Sequence, residues 1–140
     1  MKAISLWQPW ASLVALKVKT VETRFWYTDY RGDLLICASK TMNMEYQDYY
    51  YSLPSIPMLS ESKPVPYKDL PRGYAVAKVS LIDCIKMTKT LIDKQSDIEI
   101  ACGNWEIGRY AWMFGDITPI TPFPVRGQQK LFEVEYDQIK

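Results

Sequence analysis

Polar and apolar positions alternate through most of this chain, and the places where the period changes mark its elements. Lys2 to Leu6 reads as a short strand that ends at Trp7-Gln8. Pro9 stands where a first helical residue would be, its missing N–H harmless there. Trp10, Leu13, Val14 and Leu16 follow at helical spacing, so residues 9–17 predict a short helix packed on that strand. From Lys19 to Phe25 the period returns to two, with Thr20, Glu22 and Arg24 on one face and Val21, Thr23 and Phe25 on the other. Leu34 to Ala38 is apolar on both faces, the pattern of a strand covered on both sides. Residues 42–52 predict a helix whose apolar side is Met42, Tyr46, Tyr49 and Tyr50.

Pro54, Pro57, Pro64, Pro66 and Pro71 then punctuate an excursion over residues 53–72 that has no regular pattern. A loop of that length in a compact domain is often functional, and it is the candidate surface for a protein partner. Tyr74 to Met87 is the clearest strand: Ala75, Ala77, Val79, Leu81, Ile85 and Met87 alternate onto one face, interrupted by Asp83. A carboxylate there reads as a hydrogen-bonded structural group or the marker of a bulge. Residues 90–101 predict a weak helix, and 110–114 and 131–136 two more strands. Many strands and few helices indicate an α+β domain on a curled sheet or small barrel, rather than a βαβ stack. Arg31-Gly32, Arg72-Gly73 and Arg126-Gly127 each precede a predicted strand. Glycine there supplies a turn; the sharper reading gathers the three arginines at one rim of a barrel.

Composition narrows the chemistry. The 140 residues fit a single domain over 1–140, and they contain no histidine. Ser-His and Cys-His relays and imidazole ligands to zinc are therefore excluded. Cys37, Cys84 and Cys102 are odd in number and widely spaced, which disfavours a disulfide framework and suits a reducing, cytoplasmic setting. No segment approaches the apolar length of a membrane span. Neither a metal nor a cofactor is expected: phosphate loops, EF-hand spacing and the nucleophile elbow are all missing.

The net charge of +1 conceals an asymmetry, because residues 1–40 carry +3 and the rest −2. The basic part also holds Trp7, Trp10, Phe25, Trp26, Tyr27 and Tyr30. Cations among aromatic faces suit single-stranded nucleic acid, through phosphate neutralisation and base stacking. By composition alone the same rings fit a core, where Trp and Phe mostly reside. Lys19, Glu22 and Arg24 form the best polar cluster in the chain. It is either an ion-paired surface group or, if Lys19 is desolvated beside a carboxylate, an acid–base pair.

Ordered along the chain, Leu6-Trp7-Gln8-Pro9-Trp10-Ala11-Ser12-Leu13, Lys19-Thr20-Val21-Glu22-Thr23-Arg24, Trp26-Tyr27-Thr28, Tyr30-Arg31-Gly32 and Ala38-Ser39-Lys40 resemble the ASCH (activating-signal-cointegrator homology) domain family. Leu70-Pro71-Arg72-Gly73, Leu81-Ile82-Asp83-Cys84, Gly108-Arg109-Tyr110-Ala111-Trp112 and Pro124-Val125-Arg126-Gly127-Gln128-Gln129 continue the likeness. It implies a PUA-like fold, a small, partly open β-barrel flanked by short helices. It further implies a cleft between barrel and first helix for RNA, other single-stranded nucleic acid or a nucleotide-like small molecule. Trp7, Gln8, Trp10, Lys19, Glu22, Arg24 and Trp26 would share that cleft, with Arg31, Lys40 and Arg109 at its rim. One branch of the family resembles amidohydrolases acting on acylated cytidine with the motif Gly-x-Lys-Thr-x-Thr-x-Arg. Here Lys17 replaces the glycine and Glu22 the catalytic threonine. The alternative activity is thus a hydrolase of modified nucleosides or RNA, with Lys19 as base and Glu22 as base or nucleophile.

Overall fold

The computed structural model describes residues 1–53 and 65–136. Its strands are β1 (Lys2–Leu6), β2 (Val21–Arg24), β3 (Gly32–Ala38), β4 (Tyr74–Lys86), β5 (Tyr110–Pro124) and β6 (Phe132–Glu133). The helices are α1 (Trp10–Ala15), α2 (Glu45–Ser52), α3 (Lys89–Asp93) and α4 (Asp97–Ala101). The strands form one mixed sheet in the order β2-β5-β4-β3-β1-β6, in which β1 and β3 run parallel. Hydrogen bonds do not close it, so β2 and β6 are its two edges. A curled, partly open sheet flanked by short helices is the α+β architecture that the pattern predicts.

Alternation assigns each face of the sheet. Ile4 and Leu6 of β1, Leu34 and Ile36 of β3, and Val79 and Leu81 of β4 join Trp112 and the α1 residues Ala11 and Val14 in the main core. Ala3, Leu35, Cys37 and Ala75 point the other way and pack with Phe132 of β6. The both-faces-apolar segment 34–38 is therefore covered on both sides, as its composition requires. Beneath α2 lies a separate cluster in which Leu13, Tyr50, Tyr67 and Cys102 are buried.

Bulges account for the irregular stretches. The register of β4 against β5 shifts between Leu81 and Asp83, so Cys84 rather than Asp83 turns inward. Asp83 is exposed, accepts the Cys84 amide at 2.8 Å and lies 3.5 Å from Arg31, so it is both bulge marker and bonded carboxylate. The structure extends β5 ten residues beyond the predicted 110–114, through Pro119, Pro122 and Pro124. Only its first part pairs with β2, which leaves the proline half on an open edge where no ladder amide is missed. The predicted helix 90–101 divides in two, capped by Thr88 and by Ser96, each of whose side chains accepts a backbone amide.

The three arginines do not gather. Because β3 and β4 are antiparallel, with Gly32 opposite Leu81 and Ala38 opposite Tyr74, Arg31 lies at one end of the pair and Arg72 at the other. Arg72 is also occupied, its guanidinium 4.6 Å from the Tyr67 ring centre. Of the proline-rich excursion, residues 54–64 lie outside the described residues. Its final part forms a tight turn at Tyr67–Asp69 with Tyr67 buried. Among the described residues no helix is long and apolar enough to cross a membrane.

Candidate functional site

At the end of β1 the chain turns into α1 through Trp7, Gln8 and the cis-linked Pro9. Proline offers the helix no side-chain cap, and Gln8 supplies one instead. Its Oε1 accepts the Ser12 amide at 3.0 Å, while its Nε2 donates to Ser12 Oγ at 2.8 Å and to the Pro71 carbonyl at 2.7 Å. With every polar atom used and 1% exposure, Gln8 orders the turn from behind. The turn throws Trp7 outward, 39% exposed, against Tyr46 at 5.4 Å between ring centres. Trp10 meets Tyr46 edge-on at 4.6 Å and Tyr49 at 5.3 Å. The helix 42–52 was predicted to bury Met42 with its tyrosines. Instead Met42 is exposed, and Tyr46 and Tyr49 complete an aromatic wall.

Opposite this wall β2 presents its polar face. Lys19 is 1% exposed and donates from Nζ to the Cys102 carbonyl at 2.6 Å, with Glu22 Oε1 3.5 Å away. Glu22 Oε2 lies 2.9 Å from Arg24 Nε, and Arg24 Nη2 donates to the Ser5 carbonyl at 2.9 Å. The two carbonyls thus anchor a continuous chain of alternating charge, Lys19–Glu22–Arg24, across the floor of a cleft of about 470 Å³. Arg109 closes one side, held by Nε to the Asn104 carbonyl at 3.0 Å. Gly103 lets the α4 end approach closely, since a Cβ there would stand 2.9 Å from the Thr23 methyl.

The hydroxyl and thiol groups of the cleft wall are engaged or protonated: Thr23 Oγ1 accepts the Asn104 amide at 3.0 Å. Burial pushes the Cys102 thiol up, against the pull of the Lys19 charge, so it remains protonated near neutrality. Burial likewise raises the Tyr49 hydroxyl, which donates to the Ala101 carbonyl. Thr20 Oγ1 donates to Glu99 Oε2 at 2.6 Å and does not line the cleft.

A second depression of about 690 Å³ shares Ser5, Trp7, Arg24 and Phe25 with the first. Trp26 and Lys40 line it, together with the segment 126–130. The expected single cleft is therefore two adjoining compartments: Trp10, Lys19, Glu22 and Arg109 in the first, Trp26 and Lys40 in the second, Trp7 and Arg24 in both. Arg31 belongs to neither; it is bound to the Thr28 and Tyr30 carbonyls at the far end of β3. The aromatic residues of the basic segment are split as well. Phe25 and Tyr27 are 73% and 50% exposed, so the core reading fails for them, whereas Trp26 packs edge-on against the buried Trp112. Tyr46, Phe25, Asn104 and Arg126 were not among the expected site residues. Phe25 carried a signal as one of the rings of the basic segment, and Arg126 as one of the Arg-Gly pairs.

A partly open mixed sheet with a cleft between its first helix and its second strand defines a PUA-like domain. The family model for the ASCH domain matches residues 4–132, and the chain belongs to that family. It is 29% identical over 140 residues to activating signal cointegrator 1 of Homo sapiens, and 30% identical over 136 residues to the protein of the same name in Mus musculus. These alignments cover 94% of this chain but 22% of each relative, so the chain spans about a fifth of their length. Among solved structures it resembles ASCH from Zymomonas mobilis, with a TM-score of 0.57 and 15% identity over 96% of this chain and 87% of that one. A mutant of the same protein superposes with the same TM-score and identity, covering 89% of that chain.

Proposed function

We propose that this ASCH domain, a single unit over residues 1–140, binds single-stranded nucleic acid, RNA foremost, or a nucleotide, in the cleft between α1 and β2. The observation that carries this reading is the half-open face of Trp7 beside Arg24 and Arg109 in one cleft. The cleft volume lies within the range of about 300–1,000 Å³ usual for small ligands. A base stacked on Trp7 would leave its phosphates near the two guanidiniums, and Glu22 would accept from its edge. Three free, buried cysteines support a reducing, cytoplasmic setting.

Fluorescence anisotropy with single-stranded, hairpin and duplex RNA at two salt concentrations tests it. Binding should weaken with salt, and Trp7→Ala should remove about 1–3 kcal/mol, the range for one stacked base. Binding that ignores salt, or that survives Trp7→Ala combined with Arg24→Ala unchanged, overturns the reading.

The hydrolase alternative rests on the same Lys19 and Glu22. Their geometry favours a structural role, because Lys19 is engaged with the Cys102 carbonyl and Glu22 with a cation on either side. Turnover of a nucleoside amide that Glu22→Gln abolishes would reverse that preference.

A further inference from the structure

The second compartment differs from the cleft in one respect that decides its chemistry: no carboxylate lines it. Arg24, Lys40, Arg126 and Lys130 converge there with Gln128 and Gln129. Among the described residues Lys40, Arg126 and Lys130 make no ion pair, whereas the cations of the cleft floor are all tied to Glu22 or to backbone. Uncompensated positive charge on a concave surface concentrates anions from solution.

The fold goes to some length to assemble this charge. Gly127 brings the 126–130 segment down onto β1, where a Cβ would stand 3.1 Å from Ser5 Oγ, beside the carbonyl that holds Arg24. Gly73, at φ +78°, lets the stem of Lys40 lie across it; a Cβ would stand 3.0 Å from Lys40 Cγ. Lys130 itself occupies φ +59°, a left-handed conformation that a lysine adopts at a cost. Two segments far apart in the chain thus place their cations in one depression with Trp7 and Phe25.

We propose that this compartment binds a phosphate group, and that the ligand spans both compartments, its base in the cleft and the adjoining phosphate among Lys40, Arg126 and Lys130. This rests on the nucleic-acid reading above and narrows it: the recognised class is a phosphorylated nucleotide or strand, not a free nucleoside. The phosphate comes either from a strand terminus or from the backbone.

The test compares wild type with the triple variant Lys40→Ala, Arg126→Ala, Lys130→Ala. All three side chains are exposed, and an unchanged Tm verifies the fold. The probes are a nucleoside, its 5′-monophosphate, and one single-stranded RNA made with a 5′-phosphate or a 5′-hydroxyl. Wild type should prefer the monophosphate over the nucleoside about tenfold or more, as for one charge-assisted contact, and the triple variant should lose that preference. For the RNA, the slope of log affinity against log salt should become shallower by at least about 0.7, the value for one single-strand phosphate. A loss confined to the 5′-phosphorylated RNA identifies a terminal phosphate; equal losses identify the backbone. If Trp7→Ala weakens RNA binding while the triple variant keeps both the wild-type preference and the salt slope, the phosphate compartment is refuted and the cleft reading stands. If neither the RNA nor the monophosphate binds, both fall. Should the triple variant lose its Tm, charge-conserving Lys40→Arg with Lys130→Arg must retain the monophosphate preference, and its loss refutes the proposal.

Discussion

Two compartments meet at Ser5, Trp7, Arg24 and Phe25, and they handle charge in opposite ways. In the cleft, Lys19 is buried, Glu22 lies between Lys19 and Arg24, and Arg109 is held by the Asn104 carbonyl, so the polar groups hold one another in place. In the neighbouring depression Lys40, Arg126 and Lys130 are exposed and, among the described residues, make no ion pair, so they cost the fold little and act on whatever approaches. Internal pairing provides geometry and surface charge provides attraction. Arg24 takes part in both, paired with Glu22 on the cleft floor and lining the depression beside it.

The largest expected effect is alkaline. Its main contributors, Cys37 and Tyr50, line neither compartment, and of the two only the cleft adds to it, through Tyr49 and Cys102. Burial holds the Cys37 thiol up from 9.0 to about 12 and the Tyr50 hydroxyl up from 10.0 to about 12, and it raises Tyr49 and Cys102 in the cleft wall. The folded chain therefore keeps these protons to higher pH than the unfolded chain does. Stability is full below the unfolded values and falls as pH rises toward 12, with Cys37 alone representing about 4 kcal/mol. Denaturant midpoints between pH 8 and 12 should fall steadily. The second compartment contains neither cysteine nor tyrosine, so its own charge contributes little to this loss.

Next in size, Glu22→Ala strands the buried Lys19 ammonium and should cost about 3 kcal/mol in urea unfolding. Pairing Lys19→Met with Glu22→Gln should restore most of it, since the stranded charge is then gone. Arg126→Ala, by contrast, should stay within about 0.5 kcal/mol of wild type. Similar losses at the two sites would erase the distinction between paired and unpaired charge.

Smaller than the Glu22 loss are the effects at the glycines that shape the depression. Gly73→Ala forces a side chain into the left-handed region and should cost about 1–2 kcal/mol while displacing Lys40. Gly127 has no such backbone constraint, so Gly127→Ala should leave thermal stability nearly unchanged. By crowding Ser5 Oγ it should still weaken phosphate binding.

Much of the sheet was legible in the sequence, because a strand's two faces are written in alternate residues. Alternation gives 74–87, and a short run apolar on both faces gives 34–38. The second half of β5 was not, since its glycine and prolines imitate a loop, and only the open edge beside β2 makes them acceptable. The division of 90–101 was present in Ser96-Asp97-Ile98-Glu99, a capping-box spacing that a faint periodicity obscured. At the site, Lys19, Glu22, Arg24 and Trp10 were legible from one strand and one helix. Gln8, placed in the cleft by the resemblance, lines neither compartment, and its hydrogen bonds are those of a helix cap.

The sequence by itself determined which chemistry was available. Without histidine, the polar work falls to Lys19, Glu22 and Arg24, and the alternation of β2 already put Glu22 and Arg24 on one face. It also marked residues 1–40 as basic and aromatic. Which cations are paired, and which segments complete the site, were decided only in three dimensions. Lys19 is satisfied by a carbonyl 83 residues away, and Lys40 gains Arg126 and Lys130 because Gly127 packs on β1. Electrostatic interaction depends on distance and burial rather than on position along the chain. A count of charges could therefore locate half of the site, and packing had to supply the rest.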